Sequence, residues 1–372
     1  MKDYLEQISL QNLRGIRFFF YFICGVIILA LLGTWASKQN IYENSSRFHP
    51  WISADSQHFP TADHVYNWSR AQIEKNQKVV VIGGSSVLIG AGQSEFDSFA
   101  NQLKLKLGQD FAVINLALNG GGTFGQGSYI ADKLRSEGFE VVLVADFLPL
   151  NTPPYMNYDR YHYFFWDAKH SGLIPKDHPT LKGLMKSDIS QAEMLMQINS
   201  KLYFLDLFNF VSVRYLKLNH SPLYGDLTIR PLGDYDDPSK SVLPENSYPF
   251  DEADLKITRD MANQLWDMDS LKSYIAYYKS YFRDSLESTL LVFCQNSPRY
   301  VNRLEPIERL RYQESVQSQL GAYTSNGFKT IQPCLDFLEA DYIDRVHLSK
   351  FGAEKMAQKV SVWVRSKYED KE

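Results

Sequence analysis

Cysteine is scarce in this chain, with three in 372 residues. That excludes a scaffold built on disulfides. Cys24 lies in an apolar run, and neither Cys294 nor Cys334 sits in a paired-cysteine motif. Two readings stay open for the latter two: a bond formed outside the cytosol, or two small buried hydrophobes. Excess charge is absent too. A net charge of −4, without any local basic cluster, argues against a nucleic-acid partner. There is no internal repeat and no low-complexity tract. The glycine signatures of nucleotide loops are also missing. Residues 83–92 lack the Gly-x-Gly-x-x-Gly register, and no Gly-Lys-Ser/Thr follows Gly120-Gly121-Gly122-Thr123. His162 and His170 have no carboxylate–histidine cluster around them, so neither a metal nor another cofactor is expected.

What is present suits a large packed core. Hydrophobic residues make up 44% and charged residues 22%, enough for one big domain or two small ones. Long apolar runs are limited to one. Phe18 to Ala36 carries no charge and approaches the ~20 residues that span a bilayer. Arg14 and Arg17 precede it directly, while Lys38 alone follows closely. The positive-inside rule then leaves residues 1–17 as a cytoplasmic tail and everything after the anchor outside, with Trp35 at the outer interface. A cleaved signal peptide is the competing reading. Its apolar core would be unusually long, and Thr34-Trp35-Ala36 is a poor small-x-small cleavage site.

Beyond the anchor, residues 37–77 read as a tether with a short helix around Asp63 to Glu74. Continuous apolar runs then predict strands at Lys78–Ile82, Phe111–Leu118, Val141–Phe147 and Thr289–Gln295. Helical stretches at Glu95–Leu107, Gln126–Ser136 and Glu308–Ser325 alternate with them. A last helix follows Ser349, a plausible N-cap, with Met356, Val360, Trp363 and Val364 at helical spacing. The alternation predicts an α/β domain with a doubly wound parallel sheet between helical layers, formed by residues 78–150 and 286–372. Residues 151–285 interrupt it as a large, partly helical insertion capping one end of the sheet. Aromatic residues, 14% of the chain, crowd its beginning at Tyr155–Trp166. They suit an acyl or sugar site, the underside of the insertion, or a membrane-facing patch.

Two short segments carry chemistry. Val79-Val80-Val81-Ile82-Gly83-Gly84-Ser85-Ser86 reads as a buried strand running into a glycine turn that presents a serine. Asp344-Arg345-Val346-His347 places an acid three residues before a histidine. A weak alcohol nucleophile needs a base, and the base needs an orienting carboxylate. At the C-terminal edge of an open α/β sheet, these groups stand where such folds carry their sites.

Gly84-Ser85-Ser86-Val87-Leu88-Ile89-Gly90 resembles the Gly-Asp-Ser-Leu-x-x-Gly block of the SGNH (GDSL-like) hydrolase and acyltransferase family. Val113 to Gly120 resembles that family's second block, a strand ending in an oxyanion-hole glycine. Asp344-Arg345-Val346-His347-Leu348, with Gly352 after it, is similar to the final Asp-x-x-His-Leu block. The resemblance implies Ser86 as nucleophile, His347 as base and Asp344 as its orienting acid. It also implies oxyanion donors at the amides of Ser86 and Gly120. Two positions depart from the pattern. Ser85 replaces the family aspartate and is an alternative nucleophile. The third block, Gly-x-Asn-Asp, has no clean match after Val141, leaving Asn119 or Asn151 to supply the amide donor.

The single anchor and inserted segment resemble a membrane-anchored, extracytoplasmic branch of that family involved in O-acylation of envelope polymers. The resemblance therefore implies an O-acyltransferase or acyl esterase in the cell membrane. Its partners would be an acylated carbohydrate or envelope polymer and a multispanning membrane acyltransferase. The lost third block keeps a second expectation open, a catalytically inactive binding or assembly partner of such an acyltransferase.

Overall fold

The computed structural model describes residues 2–39, 62–90, 93, 96–117, 125–146, 250–263 and 283–369, with isolated positions within 207–211 and 271–279. These residues fall into two compact units: residues 2–39 and 62–68 belong to one, and residues 69–146 and 250–369 to the other.

The first unit contains α1 (Lys2–Ser37). The helix begins well before the apolar run, because no proline interrupts residues 2–17. Its stretch Arg14–Ala36 is 23 residues long, reaches a mean hydropathy of 2.4 in its most apolar 18-residue window, and is long and apolar enough to cross a membrane. Phe18, Phe19, Phe20, Tyr21 and Phe22 on this stretch are all exposed. A short helix, α2 (Ala62–Ala71), falls where the tether was expected to carry one.

The second unit is an α/β domain. Its strands are β1 (Lys78–Gly83), β2 (Phe111–Asn115), β3 (Val141–Asp146), β4 (Thr289–Val292) and β5 (Lys329–Ile331). They form one parallel sheet in the order β2-β1-β3-β4-β5. This is a doubly wound order, with its switch point between β1 and β3. Both faces are covered, which is why the first four strands read as unbroken apolar runs. On one face Val80, Ile82, Val142, Val144, Leu290 and Val292 share a buried cluster with two helices. These are α4 (Phe99–Leu107) and α9 (Lys350–Glu369), the latter through Met356, Val360 and Val364. On the other face α5 (Gln126–Ser136) packs on β1 and β3. A glycine-to-glycine approach allows it: a Cβ on Gly127 would come within 2.8 Å of Gly83 Cα. Outside the sheet lie α6 (Glu252–Asn263), α7 (Pro298–Val301) and α8 (Pro306–Ser325), with α8 against β5.

Strand β5 was not anticipated from the sequence. It is three residues long and half exposed, and Lys329-Thr330-Ile331 forms no apolar run. Cys294 and Cys334 are bonded to each other, with Cα atoms 5.1 Å apart, and both are buried. Of the two readings of these residues, the structure takes the disulfide. Most of the insertion, including the aromatic run and His162 and His170, lies outside the described residues.

Candidate active site

Strand β1 delivers the candidate nucleophile. Gly83 ends the strand, and Gly84 turns the chain with φ of +96°, a region that side chains rarely adopt. A Cβ there would also collide with the carboxylate of Asp146. Ser85 is extended and caps α3 (Ser86–Ile89), its Oγ accepting from the amide of Val87 at 3.3 Å. Gly90 closes the short helix in the left-handed conformation. Ser86 is therefore the first residue of a helix, and its amide has no acceptor within that helix. Asn115, at the end of β2, braces the turn from below. Its Nδ2 donates to Leu88 O at 3.3 Å and its Oδ1 accepts from Ala117 N at 3.2 Å.

The histidine comes from a tight loop ahead of α9. Tyr342 and Leu348 form an antiparallel bridge, and Ile343 N donates to His347 O at 2.9 Å. Aspartate favours such a turn because its short side chain reaches its own downstream amides. Asp344 Oδ1 accepts from Val346 N and His347 N, both at 2.8 Å. Ser349 caps α9, its Oγ accepting from Gly352 N at 3.4 Å. Gly352 is required there because a Cβ would run into the backbone of Asp341. Gln93 ties this loop to the nucleophile's side of the site, its Nε2 donating to Ser349 O at 3.0 Å.

The two segments meet. His347 Nε2 lies 2.8 Å from Ser86 Oγ, and His347 Nδ1 lies 2.7 Å from Asp344 Oδ2. The Asp344 side chain is 1% exposed. Burial alone pushes its pKa up, but the neighbouring His347 ring and the two turn amides outweigh that and hold it well below the usual carboxylate range. An ionised Asp344 fixes the ring with hydrogen on Nδ1 and leaves Nε2 to accept from Ser86.

Of the two serines considered as nucleophile, Ser86 meets the imidazole. Ser85 faces the other way. Its Oγ donates to Asp146 Oδ2, and its amide donates to Asp146 Oδ1 at 2.6 Å. Asp146 is the last residue of β3 and is buried. Burial pushes its pKa up to about 6, against the lowering effect of the Ser85 hydrogen bonds.

Sequence reasoning missed this pairing, since 61 residues separate the two positions. The parallel register of β1 and β3, with Gly83 opposite Ala145, is what brings them together. Gly120, Asn119 and Asn151 lie outside the described residues. A second set of groups that went unread flanks the loop from α6. Arg345 Nε pairs with Asp254 Oδ1 at 3.3 Å, and Asn296 Nδ2 donates to Thr258 Oγ1 at 3.1 Å.

Comparison with family models, curated proteins and solved structures finds no match. The site's chemistry therefore rests on its geometry. A hydroxyl, an imidazole and a buried carboxylate in series can make an alcohol nucleophilic near neutral pH. Among the described residues no cluster of metal-ligating side chains occurs.

Proposed function

We propose that this chain is a membrane-anchored serine acyl-transfer enzyme of SGNH type, acting outside the cytoplasm on an acylated carbohydrate or envelope polymer. The observation that carries the reading is the continuous relay from Ser86 through His347 to Asp344, at 2.8 and 2.7 Å. In this reading Ser86 Oγ attacks the acyl carbonyl as His347 Nε2 takes its proton. The Ser86 amide, with Gly120 and Asn119 as the resemblance implies, donates to the developing oxyanion. Collapse expels the donor alcohol, which receives the proton from His347, and leaves an acyl-serine. A second alcohol, deprotonated by His347, then takes the acyl group; water in its place gives hydrolysis. Residues 18–36 anchor the site at the membrane, which favours transfer fed by a multispanning acyltransferase.

One observation favours the second reading, a non-catalytic assembly partner. Strand β3 ends in the carboxylate Asp146 rather than in the family's Gly-x-Asn-Asp block. A fluorophosphonate probe, which traps activated serines covalently, separates the two. The enzyme reading expects labelling at Ser86, none in Ser86→Ala, and a rate at least about a thousandfold lower in His347→Ala. A folded native chain that stays unlabelled, or a Ser86→Ala chain that labels equally well, overturns it.

A further inference from the structure

The acyl-transfer steps use Ser86, His347 and Asp344 but not the buried carboxylate next door. Asp146 is 3% exposed, and no cation among the described residues pairs with it. Such a group carries a desolvation cost that needs local compensation. Among the described residues its hydrogen-bond partners beyond its own backbone lie on one residue, and that residue immediately precedes the candidate nucleophile. One oxygen takes the Ser85 amide and the other takes the Ser85 hydroxyl. The same hydroxyl accepts from Val87 N, so its lone pairs and its hydrogen serve the turn. The chain passes from extended at Ser85 to helical at Ser86. The setting of that one residue therefore decides where the Ser86 side chain points.

We propose that Asp146 is a positioning residue: by gripping both the amide and the hydroxyl of Ser85, it fixes the turn that aims Ser86 Oγ at His347 Nε2. The proposal rests on the reading of Ser86 as nucleophile. It explains why Gly84 has to be glycine, because a Cβ at that position would occupy the space the carboxylate fills. It also gives Ser85 a task that excludes attack, since its hydrogen is directed at Asp146. The grip is geometric. Asparagine can reproduce it, with Oδ1 accepting from the Ser85 amide and Nδ2 donating to Ser85 Oγ. Alanine cannot.

The test uses the full-length chain in detergent micelles and the rate of fluorophosphonate labelling at Ser86, resolved into probe binding and bond formation. Asp146→Ala slows bond formation by about a hundredfold, the scale of an ångström-sized misplacement, and leaves probe binding unchanged. Asp146→Asn retains most of the native rate. Ser85→Ala removes only the hydroxyl half of the grip and slows labelling less than Asp146→Ala. The double variant is no slower than Asp146→Ala, because the two residues act as one unit. A native rate in Asp146→Ala, an asparagine variant as slow as alanine, or additive effects would each overturn the proposal. If Asp146→Ala fails to fold, the asparagine and Ser85→Ala arms still decide it. A native chain that does not label at Ser86 instead overturns the enzyme reading itself, and is told apart by that single control.

Discussion

At the residue scale the site holds two buried carboxylates that are pushed in opposite directions. Asp344 faces an imidazole and two amides and is held ionised against its burial. At Asp146 burial outweighs the Ser85 hydrogen bonds, its own backbone amide and the more distant His347, and its pKa rises to about 6. The signs of their effects on stability follow. For Asp344 the folded value lies below the unfolded one, so its contribution is present above about pH 4 and is lost as the solution is acidified. For Asp146 the folded value lies above the unfolded one. Between about pH 4 and 6 the folded chain holds a proton that the unfolded chain has released, and stability falls as pH rises through that window. Two units of displacement correspond to about 3 kcal/mol. Asp146→Asn should therefore gain about 3 kcal/mol relative to the native chain between pH 4 and 7, measured by urea unfolding at a series of pH values; a constant difference across that range would refute the assignment. That Ser86, His347 and Asp344 meet was legible in the sequence because a hydroxyl nucleophile needs a base and an orienting acid, and the local frames offered those residue types. Asp146 was not, because nothing local to Val141–Asp146 says that β1 will lie alongside it.

At the element scale, legibility followed burial. Strands β1 to β4 are covered on both faces and advertise themselves as apolar runs, even β2 at one edge, whereas the short, half-exposed β5 at the other edge does not. The ladder also stops earlier than the hydrophobicity suggests. Leu116 and Phe293 each continue it by one backbone hydrogen bond, to Ile82 and Ile331, and the chain then leaves the sheet to build the site. The least legible element is α6, which falls inside the partly helical insertion but gives no sign of what it touches. It reaches the histidine's loop through Asp254 and Arg345, whose side chains are only 12% and 14% exposed. Arg345 also bonds Asn296 Oδ1 at 3.4 Å, and its carbonyl accepts from Ser297 N at 2.8 Å. The two residues between Asp344 and His347 are thus not a passive spacer. Arg345→Met should cost about 3 kcal/mol by removing one side of this largely buried ion pair, whereas Asp254→Asn together with Arg345→Met should recover part of that loss. Chemical unfolding of the two variants checks this, and equal stabilities in the single and double variants would show that the pair carries no such link.

At the scale of the whole molecule, the apolar helix and the disulfide bear on the same question of compartment. In the proposed orientation, the positive-inside rule sets Arg14 and Arg17 on the cytoplasmic side of the span and the α/β domain outside. The Cys294–Cys334 bond joins the end of β4 to the segment after β5, and bonds of this kind persist in oxidising compartments rather than in the cytosol. The two arise from unrelated parts of the chain and point the same way. In intact cells or protoplasts, protease added from outside should therefore degrade the domain from residue 69 onward, while a tag placed before Lys2 stays protected until the membrane is opened. In the same preparation, denatured without reductant, a maleimide should modify Cys24 alone; after reduction it should modify Cys294 and Cys334 as well. A domain shielded from external protease, with both of those thiols reactive before reduction, would place the α/β unit in the cytoplasm and remove the envelope polymer from its reach.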